Sequence, residues 1–76
     1  MTPSEYTLTR IILLGLDIKR REGKEDYRVE ALRKLYLSLK AGHVPDLAQI
    51  RSNFLGLDLI HFNRIFEDEV RIRDLL

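Results

Sequence analysis

Four consecutive aliphatic residues, Ile11-Ile12-Leu13-Leu14, constrain this chain more than any other feature. At about 100° per residue they fall at roughly 300°, 40°, 140° and 240° from Leu8, so an α-helix through them is apolar nearly all round. A helix of that kind is expected to be enclosed on several sides. The whole chain is 76 residues, and a domain that small buries only about 60% of its unfolded surface. With no cysteine, neither a disulfide nor a cysteine-based zinc site can supplement so thin a core.

The remaining pattern is helical throughout. Thr2, with Pro3 in the first helical position and Glu5 completing a capping box, is a good start for the first helix. Gly23 is its natural stop after the basic turn Lys19-Arg20-Arg21, and Gly15 is the one position where it could break earlier. A second helix is expected from Asp26 to Lys40, with Val29, Leu32, Leu35, Tyr36 and Leu39 on its buried arc, Leu37 outside it and Gly42 closing it. Asp46 caps a short third helix, expected to bury Leu47, Ile50 and Phe54 and to end near Gly56. Asp58 is expected to cap a fourth helix that runs almost to the C-terminus. Its apolar arc from Leu59 to Ile72 also holds Glu69 and Arg73, while Ile60 lies outside. No strand-like alternation occurs. The fold class is therefore all-α: one compact four-helix domain with short connectors.

Charge is unevenly divided. Residues 1–40 carry nine basic and six acidic side chains, and residues 41–76 carry four and six. That split favours polar contact between the two halves or between copies. The apolar runs are far shorter than the ~18 residues of a membrane span, and no basic region precedes the first one as in a signal peptide. A cytoplasmic location is the expectation.

Little here suits catalysis. His43 could share a metal with Asp46 and His61 with Asp58, but two isolated pairs are not a site. The glycines are scattered singly, so no phosphate loop is present. Glu67-Asp68-Glu69 point to different faces of a helix, which suits a solvated surface rather than a paired acid and base. No enzyme activity, cofactor or metal is expected.

Residues 47–67 resemble a helix-turn-helix unit, with Gly56 in the turn, Ser52 at the helix crossing, and Leu55, Leu57, Phe62 and Ile65 in buried positions. The resemblance implies DNA binding, in which His61, Asn63 and Arg64 would read bases and Lys19, Arg20 and Arg21 would hold phosphates. Asp58 and Glu67 on the same helix work against it by repelling phosphate.

The favoured expectation rests on an excess. Four short helices cannot enclose the first helix on every side, the wide arc of the fourth, and Leu37 and Ile60 besides. The chain therefore reads as a self-associating protein–protein interaction module, regulatory or adaptor-like. Its partner is a second copy or another protein rather than a membrane. Leu13, Leu16, Leu37 and Ile60 are the candidate interface residues, and the helix-turn-helix regulator is the alternative.

Overall fold

The computed structural model describes residues 4–75. Four helices follow one another, α1 (Glu5–Glu22), α2 (Tyr27–Lys40), α3 (Leu47–Arg51) and α4 (Gly56–Leu75), and no strand occurs among the described residues. None of these helices is long and apolar enough to cross a membrane.

Local signals set most of the boundaries. The Ser4 side chain caps α1 by accepting the Thr7 N–H at 3.2 Å. The expectations for Thr2 and Pro3 lie outside the described residues. The helix passes unbroken through Gly15 and stops at Gly23, whose positive φ of 99° is costly for any other residue type. Asp26 caps α2 through the Arg28 N–H, and Asp46 caps α3 through the Gln49 N–H.

The core is one cluster. It takes Leu8, Ile11, Leu14 and Ile18 from α1, Leu32, Leu35 and Leu39 from α2, and Phe62 and Ile65 from α4. Phe54, in the loop before α4, completes it by stacking on Phe62 with ring centroids 4.9 Å apart. Helix α1 is central: it packs against both α2 and α4, whose backbones do not meet, while α3 bridges those two on the far side.

Three expectations are corrected by this arrangement. First, α1 is covered along one face only, because just two helices reach it; Ile12, Leu13 and Leu16 remain 41%, 57% and 52% exposed. Second, α3 ends at Arg51 after little more than one turn, with Leu47 and Ile50 only half-buried. Leu55 and Leu57 project into solvent at 78% and 71% exposure, and Ser52 is exposed too, so they do not form the buried crossing of a helix-turn-helix unit. Third, Asp58 does not cap α4, which begins two residues earlier at Gly56. Its carboxylate turns inward instead.

Candidate protein-interaction surface

Two buried carboxylates hold α1 in place and thereby fix which of its faces is left outside. Asp58 of α4 accepts hydrogen bonds from Arg21 at 2.7 Å and from Arg28 at 3.2 Å, joining the end of α1 and the start of α2 to α4. Arg28 also grips Asp26 with two further bonds of 2.9 Å. The Arg28 hydrogen bonds hold the Asp26 carboxyl down to about 2, and the same contacts raise Arg28 above the usual guanidinium range.

At the other end of α1, Glu69 of α4 accepts from the Ser4 N–H at 3.0 Å, the Ser4 hydroxyl at 2.7 Å, the Thr7 hydroxyl and Arg73 Nε at 3.1 Å. Burial alone would push this carboxyl up. The donors outweigh it and hold the group at about 2. Arg10 completes the attachment with a 2.5 Å ion pair to Asp68. Of the acidic triplet, only Glu67 lies on the exposed surface, so the expectation of a solvated run is corrected for Asp68 and Glu69. The basic first half of the chain does meet the acidic second half, through these pairs.

With α1 clamped at both ends, Ile12, Leu13 and Leu16 face away from the core. Taking Leu8 as 0°, they lie at roughly 40°, 140° and 80°, opposite the buried residues centred near 270°. A cleft runs along either side of this ridge. The one between α1 and α2, about 220 Å³, is walled by Ile12, Leu16, Val29 and Tyr36, with Lys19 and Arg33 at its edge. The other, about 260 Å³, lies between α1 and α4 and is walled by Leu13, Arg10, Asp17 and His61.

The other candidate interface residues sit apart. Leu37 is half-exposed on α2 and borders neither cleft. Ile60 is half-exposed on α4. Ile12 and Tyr6 are exposed beside Leu13 and Leu16 and were not singled out by periodicity, because a segment apolar on every side gives no direction to its outer face.

The nucleic-acid candidates are not gathered on one face. His61 borders the α1–α4 cleft, Asn63 is half-buried toward α3 beside Leu47 and Phe66, and Arg64 is exposed. Arg21 is occupied by Asp17 and Asp58, and Arg20 by Asp17 at 3.5 Å. Lys19 makes no ion pair among the described residues.

A larger cleft of about 550 Å³ separates α2 from α3 and is lined by both polar and apolar side chains, Glu30, Lys34, Gln49 and Leu35 among them. No buried side-chain polar atom lacks a partner among the described residues. No cluster of three or more metal-ligating side chains occurs among them either. Compared with family models, curated proteins and solved structures, the chain matches none.

Proposed function

We propose that this protein is a small helical interaction module that associates with itself through the outward face of α1, in a regulatory or adaptor-like role. The observation that carries this reading is the aliphatic ridge Ile12-Leu13-Leu16, left outside by a chain that has already spent α2 and α4 on covering α1's other face. Aliphatic surface removed from water contributes roughly 25 cal/mol per Å². A contiguous exposed patch flanked by clefts and rimmed by charge is the usual form of a protein-binding surface. Leu13 and Leu16 are the central residues of this surface.

The helix-turn-helix alternative has less in its favour. Of its three base-reading candidates Asn63 is half-buried, and of its three phosphate-binding candidates two already hold carboxylates.

Sedimentation equilibrium over a micromolar range, with circular dichroism, tests the reading. The expected result is a mass above 9.0 kDa that falls toward the monomer in Leu13→Asp and Leu16→Asp while their helicity is retained. A charge forced into the interface costs several kcal/mol of association. A monomer at every concentration, or assembly unaffected by both variants, overturns the proposal. Salt-sensitive binding to duplex DNA that depends on Arg64 would replace it with the helix-turn-helix reading.

A further inference from the structure

The exposed face of α1 is ordered along its length as well as across it. Three rows at heptad spacing make it up, drifting by only about 20° over each seven residues. The central row is Thr9 and Leu16. One flank is Glu5, Ile12 and Lys19; the other is Tyr6, Leu13 and Arg20. All eight side chains are exposed. Each flank thus has an acidic or aromatic group at the N-terminal end, an aliphatic one in the middle and a cation at the C-terminal end. Neither Glu5 nor Lys19 makes an ion pair among the described residues.

We propose that the occupant of this face is a second copy of the chain, with the two α1 helices antiparallel about a two-fold axis passing between Ile12 and Leu13. This rests on the self-association proposed above and specifies its geometry. A two-fold perpendicular to the plane of the two helices keeps each flank beside its own counterpart. Ile12 then meets the second copy's Ile12, and Leu13 its Leu13. Glu5 falls beside the second copy's Lys19, Tyr6 beside its Arg20, and Leu16 covers its Thr9. The first flank closes with two opposite-charge pairs, and the second with two cations over aromatic rings.

A parallel pair, whose two-fold runs along the helices and exchanges the flanks, would instead set Lys19 against the second copy's Arg20 and leave Glu5 beside its Tyr6. The repulsion among four cations at one end, with no cation for Glu5 at the other, selects the antiparallel arrangement. A stable dimer buries about 800 Å² per partner, of a surface of 5435 Å². The ridge therefore needs its shoulders, and the clefts on either side bring in Tyr36 and Arg33 of α2 and His61 of α4.

Cysteine trapping separates the outcomes, since the chain has no cysteine of its own. Ile12→Cys sits beside the axis and is expected to form a covalent dimer with itself on oxidation. Thr9→Cys and Leu16→Cys lie about 3.5 residues from the axis, so two identical copies hold their thiols some 10 Å apart, too far to bridge. Each alone should stay uncrosslinked, and a mixture of the two should crosslink. In parallel, Glu5→Lys and Lys19→Glu should each weaken the dimer roughly tenfold, two pairs being lost in each case, and the double variant should regain most of it.

A dimer in which Thr9→Cys and Leu16→Cys each crosslink to themselves is parallel and overturns this inference while leaving self-association standing. A dimer that none of the three cysteines traps overturns it in the same way. A protein that stays monomeric overturns both proposals.

Discussion

Glu69 is where the fold should be most sensitive to a single proton. Its folded carboxyl sits at about 2 against an ordinary value of 4.5, a difference equivalent to ~3 kcal/mol of preference for the charged form. The sign follows from the direction of the shift. A carboxyl depressed by folding stabilises the protein above its unfolded value and loses that contribution as pH falls from about 4.5 toward 2. At roughly 0.05–0.15 kcal/mol per residue the whole domain is worth ~4–11 kcal/mol, so this one group accounts for a large share.

Glu69→Gln keeps the shape and removes the charge. It presents one acceptor oxygen and an NH₂ group to a set of donors from Ser4, Thr7 and Arg73, leaving at least one of them unmatched. Urea melts at pH 7 should show a loss of ~2–4 kcal/mol. Other carboxylates, Asp26 among them, also titrate on acidification, so the informative quantity is the difference between the two proteins. That gap should be full at pH 7 and should close to within ~0.5 kcal/mol near pH 2. A gap that is absent at pH 7, or that persists unchanged in acid, refutes the assignment of Glu69 as a charged clamp.

Two further predictions concern packing. Leu32→Ala and Phe62→Ala remove buried side chains at the centre of the core and should each cost ~2–5 kcal/mol in urea melts, whereas Arg64→Ala on the exposed side of α4 should change stability by under ~0.5 kcal/mol; Arg64→Ala as the most damaging of the three would invalidate the placement of α4. A Cβ added at Gly15 would lie 3.7 Å from Leu32, an ordinary contact, so Gly15→Ala should gain ~1 kcal/mol of helix propensity and melt several degrees higher.

Most of the fold was legible in the sequence because its signals are local. Asp26 and Asp46 cap the helices they immediately precede, and Gly23 and Gly42 adopt the positive φ that their positions after α1 and α2 demand. Each such signal is decided within a few residues of chain. Asp58 was misread for the complementary reason. It has the residue type and position of an N-cap, but its partners Arg21 and Arg28 are 37 and 30 residues away. Two guanidinium groups outbid the backbone N–H groups that a cap would serve, since charge-assisted bonds are roughly twice as strong as neutral ones. Glu69 did leave a trace in the sequence, as an acid inside an apolar arc. What the trace omitted was the source of its donors, Ser4 and Thr7 at the opposite end of the chain.

The outer face of α1 was the hardest part to read, and the reason is geometric. Periodicity locates a helix's buried side by contrast with its polar side, and Ile11-Ile12-Leu13-Leu14 offers almost none. Contrast returns only after α2 and α4 are placed. The polar groups of α1 are then sorted into two classes: Thr7, Arg10 and Arg21 bond inward to α4, while Glu5, Lys19 and Arg20 remain outside with the aliphatic ridge between them. Once sorted, the outer set has its own order, acid first and cations last. A helix whose sole task was to stay dissolved would have no need of aliphatic residues between those ends. Placing Ile12, Leu13 and Leu16 there weakens solubility, and the charge order at the ends is the one that reverses correctly when a second α1 lies against the first. The charge order by itself already suits the dipole of α1, with Glu5 in its first turn and Lys19 and Arg20 in its last, which is why the cysteine-trapping pattern, more than the bare mass of the assembly, is the decisive measurement for this surface.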